Sequence, residues 1–122
     1  MSGITVYTYK NCDTCRRAVK WLREAQLDFT EKPIRETPPT RPELQRMLVA
    51  QNRELRRLFN VSGGDYRALH LGEKLPSMSE ADALELLVEN GNLVKRPFLL
   101  GPDGVGLVGY DEKRWAEALG KD

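Results

Sequence analysis

Cys12 and Cys15 are the only cysteines of the chain, and Asp13 and Thr14 between them set the C-x-x-C spacing of a redox pair. A thiol attacks only as its thiolate. A cysteine at the first turn of a helix lies where unpaired backbone N–H groups and the helix dipole favour negative charge. On such a helix Cys15 stands one turn further along the same face, placed to close a disulfide and to displace a partner bound to Cys12. The spacing therefore predicts Cys12 as the attacking thiol and Cys15 as the resolving one. Lys10 and Arg16 put positive charge next to the pair. A structural zinc needs about four ligands; beyond the two cysteines the chain offers one histidine, His70, so no metal is expected. A purely structural disulfide across so short a loop would add little stability. His70 reads as a surface or packing residue without a role.

The surrounding pattern supplies elements to carry the pair. Ile4–Tyr9 is rich in β-branched and aromatic residues and reads as a strand, with a turn at Lys10-Asn11-Cys12-Asp13. Ala18, Val19, Leu22 and Ala25 then recur at helical spacing. A second strand around Asp28–Ile34 closes a βαβ unit, for which parallel pairing is the rule. Thr40 and Glu43 form a capping-box pair ahead of a helix burying Leu44, Met47 and Leu48, and a further piece carries Leu55, Leu58 and Phe59. A short helix is expected over Tyr66–Leu71, and another, capped by Ser77 or Ser79, contains Ala83, Leu84, Leu86 and Leu87 and ends at Gly91. Leu93–Leu100 reads as a strand interrupted by Pro97, Pro102-Asp103-Gly104 as a hairpin turn, and Gly106–Tyr110 as the paired strand. Asp111 caps a last helix holding Trp115 and Leu119. The order predicts an α/β domain over 1–122, thioredoxin-like and of glutaredoxin type. A mostly helical insert, about 38–91, separates its βαβ and ββα halves.

Composition narrows the partners. The chain has 122 residues with 40% apolar and 30% charged side chains, as in an ordinary globular domain. A net charge of +1 lacks the electrostatic footprint of a general nucleic-acid or anionic-membrane binder. No apolar run approaches a membrane span, and Met1–Tyr9 lacks a signal-peptide pattern, so a cytoplasmic protein is expected. The Arg53, Arg56 and Arg57 stretch reads as a solvated helix face. Arg96 before Pro97 stands where it could face the thiols and hold an anion, and the X-Pro bond is a candidate for the cis form.

With Tyr7–Cys15 (YTYKNCDTC), Arg67-Ala68-Leu69, Lys95-Arg96-Pro97 and Leu107-Val108-Gly109-Tyr110, the chain resembles the ArsC/Spx family over nearly its whole length. The resemblance implies a thioredoxin-like fold with a helical insert, Cys12 as nucleophile, and Pro97 as a cis proline with Arg96 facing the cysteine. Arsenate reductases of the family surround the cysteine with three arginines. Arg67 and Arg96 match two of them, and the third position falls on Gly109, which weakens the match to an oxyanion site. Those reductases tend to carry a single cysteine at the motif, whereas Spx-type regulators share the pair. The polymerase-contacting surface of the regulators includes a glycine in the insert, and Arg46–Phe59 contains none.

The expected function is thus a thiol–disulfide oxidoreductase of reductase type, with Cys12 and Cys15 catalytic and Arg67, Arg96 and Pro97 lining the substrate site. The alternatives are an Spx-type redox-sensing regulator binding RNA polymerase and a glutathione- or glutaredoxin-dependent arsenate reductase. No bound cofactor is expected. The reductant implied is a thiol such as glutathione, glutaredoxin or thioredoxin, and the partner a thiol or disulfide substrate such as a redox protein.

Overall fold

Alternating side chains of the first strand divide the core into two layers. The computed structural model describes residues 3–121. In β1 (Ile4–Thr8), Ile4 and Val6 point to one face and pack with Ala18, Leu22, Leu99 and Trp115, while Tyr7 points to the other and joins the larger core. β1 pairs in parallel with β2 (Phe29–Pro33) and antiparallel with β3 (Phe98–Leu100), which pairs antiparallel with β4 (Gly106–Val108). The sheet order is β2-β1-β3-β4, so β4 is a terminal strand. This is the thioredoxin-like fold.

One layer is built by α1 (Asp13–Glu24) and α6 (Glu112–Ala118), which bring Leu22 and Trp115 onto the Ile4, Val6 and Leu99 face. The other is built by the helical segment between β2 and β3: α2 (Arg41–Ala50), α3 (Gly64–Ala68), α4 (Leu71–Lys74), α5 (Glu80–Glu89) and three 3₁₀ turns, Leu55–Leu58, Leu75–Ser77 and Gly91–Leu93. α2 starts with the expected capping box: the Glu43 N–H donates to Thr40 Oγ1, and the Thr40 N–H donates to Glu43 Oε1. The same carboxylate accepts the Tyr7 phenol at 2.7 Å, tying the insert to β1. Ser79 caps α5 and Asp111 caps α6 through backbone N–H groups three residues on. Among the described residues no helix is long and apolar enough to cross a membrane.

Several local expectations are corrected. Before the interruption at Pro97 the expected strand does not form: Val94 makes only an isolated bridge to Phe59, and β3 starts at Phe98. The cis Arg96–Pro97 peptide separates the two, and Pro97 has no N–H for a ladder. The helix expected over Tyr66–Leu71 is two short helices broken at His70, which adopts a left-handed φ of 55° on the surface. Leu119 follows α6 and is half-buried. Gly91 does not end α5 in a left-handed cap. It is buried so tightly that a Cβ there would lie 1.9 Å from the Ile34 carbonyl oxygen. Arg53, Arg56 and Arg57 do not share a helix face: Arg53 precedes the 3₁₀ turn with φ 60° and faces Glu80 at 3.4 Å, while Arg56 and Arg57 lie within the turn.

Candidate functional site

Cys12 sits at the N-cap of α1 in an extended conformation (φ −114°, ψ 111°), between the end of β1 and the first helical turn. Its Sγ accepts the backbone N–H of Cys15 at 3.2 Å, so a side-chain sulfur fills the place usually taken by a Ser, Asn or Asp oxygen. Its own N–H donates to the Tyr9 carbonyl at 3.1 Å, which fixes the turn. Cys12 is half-buried, and Cys15 is 1% exposed beneath it; both are free thiols. Burial pushes the Cys15 thiol up to about 12, and its hydrogen bond to the Cys12 sulfur adds to the rise. A hydrogen bond with the Tyr9 backbone and the positive charge of Arg96 act the other way. The two thiols thus differ in access, and the buried one holds its proton more firmly than an ordinary thiol.

Arg96 approaches the pair from the loop before β3, where the cis peptide to Pro97 turns the chain. Its guanidinium carbon lies 4.8 Å from the centre of the Tyr9 ring, and its charge reaches Cys15. The Arg35 guanidinium lies 5.1 Å from the same ring and donates from Nη1 to the Tyr9 phenol oxygen at 2.8 Å. Asn11 Nδ2 donates to that oxygen at 3.4 Å, and this bond, opposed by partial burial and aided by Arg35 and Lys10, lowers the phenol below its ordinary range. Tyr9 therefore holds two guanidiniums beside the motif.

Of the residues singled out from sequence, Cys12 and Cys15 are hydrogen-bonded and the charge of Arg96 reaches Cys15, while Pro97 follows Arg96 through the cis peptide. Arg67 lies on the exposed side of α3, where its Nη1 donates to the Ser62 carbonyl at 3.0 Å; among the described residues no hydrogen bond or ion pair joins it to either cysteine. Arg16 turns outward to Asp13 and the Lys10 carbonyl, and Lys10 is exposed. Gly109 has φ +71°; its N–H donates to the Pro97 carbonyl at 2.9 Å and its carbonyl accepts the Trp115 indole N–H at 3.1 Å. Sequence reasoning missed Tyr9 and Arg35. Tyr9 adjoins the motif and could have been weighed as part of it. No local signal brings Arg35 back across 26 residues.

Chemically, the arrangement offers an accessible sulfur that receives a helix N–H, a protonated thiol directly behind it, and a cation alongside. Among the described residues there is no group of three or more His, Cys, Asp or Glu side chains that would hold a metal ion.

The ArsC family pattern matches residues 7–118. The chain is 42% identical to YusI of Bacillus subtilis over 115 residues, 94% of this chain and 97% of that protein. It is 31% identical to an arsenate reductase of Rhizobium meliloti, covering 85% of this chain and 73% of the reductase. The fold superposes on that of an ArsC family related protein from Bacteroides fragilis with a TM-score of 0.88 and 34% identity, covering 95% and 97% of the two chains. Similar proteins include both arsenate reductases and Spx regulators. With the pattern spanning nearly all of β1 through α6 and the superposition covering the same elements, the chain belongs to the ArsC family.

Proposed function

We propose that this protein is a cytoplasmic thiol–disulfide oxidoreductase of reductase type, with Cys12 as the attacking thiol and Cys15 as the resolving one. The observation that carries the reading is the Cys15 N–H on Cys12 Sγ at 3.2 Å with the Cys15 thiol buried behind it. The Cys12 thiolate attacks one sulfur of a substrate disulfide; the substrate S–S bond breaks, a Cys12–substrate disulfide forms, and one substrate thiolate leaves. Once the Cys12 sulfur is in that bond it is neutral and no longer accepts from the Cys15 thiol. Two of the causes that hold the Cys15 proton are then gone. Cys15 gives its proton to the departing substrate thiolate as it attacks Cys12 Sγ, which releases the substrate reduced by two electrons and leaves a Cys12–Cys15 disulfide. A thiol reductant, glutathione or a dithiol protein, returns the pair to the reduced state by the same exchange.

A second reading rests on the same pair. In an Spx-type regulator the Cys12–Cys15 disulfide is the signal rather than an intermediate, and RNA polymerase is the partner; the chain is 28% identical to an Spx regulator of Enterococcus faecalis over 119 residues. Two experiments separate the readings. Trapping on a Cys15→Ser variant in cell extract is expected to yield covalent Cys12 adducts with thiol proteins. Pull-down of RNA polymerase by the unmodified protein, with no disulfide turnover, would instead establish the regulator.

A further inference from the structure

We propose that the groove beside the motif receives an acidic stretch of polypeptide that carries the disulfide attacked by Cys12; this rests on the reading of Cys12 as the attacking thiol. The groove, about 760 Å³, lies between α6, the C-terminal end of α2 and β4, and runs from Thr14, inside the motif, past Arg96. Five basic side chains line it, Arg17, Arg57, Lys95, Arg96 and Arg114, against two carboxylates, Asp111 and Glu117. Asp111 is already engaged, accepting the Arg114 N–H as the cap of α6. Elsewhere on this nearly neutral chain arginines find carboxylates: Arg41 meets Glu85 at 2.6 Å and Arg53 meets Glu80 at 3.4 Å. In the groove only Arg57 does, with Glu54 at 3.7 Å; Lys95 and Arg114 have no acidic partner among the described residues. The surplus of positive charge is therefore local. A cleft lined by one sign of charge concentrates ligands of the other sign and speeds their encounter.

Two features favour an extended segment over a compact oxyanion. The basic groups come from separate places along the groove, α1, the 3₁₀ turn at Leu55–Leu58, the loop before β3, and α6, so they do not converge as a fork on one small ion. The wall also includes Gly106, Leu107 and Val108 of β4, a terminal strand with no neighbouring strand on its outer side among the described residues, where Gln51 Nε2 already donates to the Gly106 carbonyl at 2.9 Å. The Lys95 stem lies alongside Gly109: a Cβ built on the glycine would be 3.4 Å from Lys95 Cε, an ordinary contact distance.

The test uses three synthetic peptides of about nine residues, each with one central cysteine activated as its mixed disulfide with thionitrobenzoate and flanked by Asp/Glu, Ser/Gln or Lys. In the Cys15→Ser protein, attack by Cys12 on the peptide sulfur breaks the activated S–S bond, forms the Cys12–peptide disulfide and expels the coloured thionitrobenzoate anion, which reports the rate. The acidic peptide is expected to react about tenfold faster than the neutral one at low salt and the basic one slower, with the difference shrinking as salt is raised. Lys95→Gln combined with Arg114→Gln is expected to bring the acidic-to-neutral ratio to within about twofold. That ratio is one a general loss of thiol reactivity would not move. Arg41→Gln, remote from the groove, should leave the ratio unchanged. Equal rates for acidic and neutral peptides, or an acidic advantage that survives the double change, overturn the groove and leave Cys12 as the attacking thiol. No attack on any of the three overturns both.

Discussion

The guanidinium carbon of Arg96 lies 4.8 Å from the centre of the Tyr9 ring, and so a cation whose charge reaches Cys15 is positioned by an aromatic face rather than by a carboxylate. A carboxylate would cancel the charge that a ring leaves available. Tyr9→Leu removes the face and is expected to slow alkylation of Cys12 about two- to fivefold, the worth of an exposed cation–π contact. Tyr9→Phe keeps the ring, loses only the Arg35 and Asn11 bonds, and should react at close to the parent rate. Rates measured against a neutral alkylating agent across pH check this; equal losses in both variants would show that the phenol matters and the ring does not.

The two cysteines are expected to be unequal. After mild treatment with oxidised glutathione, Cys15→Ser should accumulate a mixed disulfide at Cys12, because its resolving thiol is gone, while Cys12→Ser should form little adduct at the buried Cys15. Mass spectrometry of both variants and the parent decides the matter, and equal rates at the two positions would remove the attacking and resolving roles together.

Cys15 also sets an alkaline limit on stability. The folded state holds this thiol neutral up to about 12, whereas its ordinary value is 9.0, so its contribution is complete below about 9 and is lost as pH rises toward 12. Denaturant unfolding from pH 8 to 11 is expected to show a steeper loss for the parent than for Cys15→Ala, whose buried side chain has nothing to ionise. Parallel curves would show that burial does not hold the proton.

The contact between Tyr7 and Glu43 should appear at the acid end. Burial raises the Glu43 carboxyl, but the Thr40 N–H, the Tyr7 phenol and the Thr40 hydroxyl outweigh it and hold the group below its ordinary 4.5. Stability from this pair is then present above about 4.5 and lost as pH falls below it. Tyr7→Phe is expected to cost about 1.5 kcal/mol at neutral pH and less at pH 3, as the carboxylate takes up its proton. Chemical denaturation at the two pH values tests it, and an equal cost at both would exclude the charged acceptor.

Arsenate turnover is expected to be weak or absent. The resemblance implies an arginine of the arsenate reductases at the position of Gly109, and loss of one charge-assisted contact weakens an oxyanion about tenfold or more. A steady-state assay with glutathione and glutaredoxin, run beside an authentic arsenate reductase, settles this; comparable turnover would show that Lys95, alongside Gly109, supplies the missing charge.

The sequence by itself determined the elements whose pattern is local. The β-branched run of β1, the capping box of Thr40 and Glu43, the Asp111 cap and the Asp103-Gly104 turn, with φ of 59° and 81°, each follow from residues within a few positions of one another. The C-x-x-C pair was legible for the same reason, since one helical turn fixes the relation of Cys12 to Cys15. Tertiary structure decided what depends on distant chain segments meeting. Gly91 looks like a helix stop in sequence, but only the close approach of Ile34 shows why no side chain fits there. The interruption at Pro97 was legible in the sequence, but that the stretch before it makes only an isolated bridge from Val94 to Phe59 depends on where the distant Phe59 packs. Arg67 is exposed on α3 and donates to the Ser62 carbonyl, and Arg35, unmarked in sequence, reaches the Tyr9 phenol across 26 residues. Side-chain reach and chain crossing place charge around a thiol, and neither has a period that a linear pattern can carry.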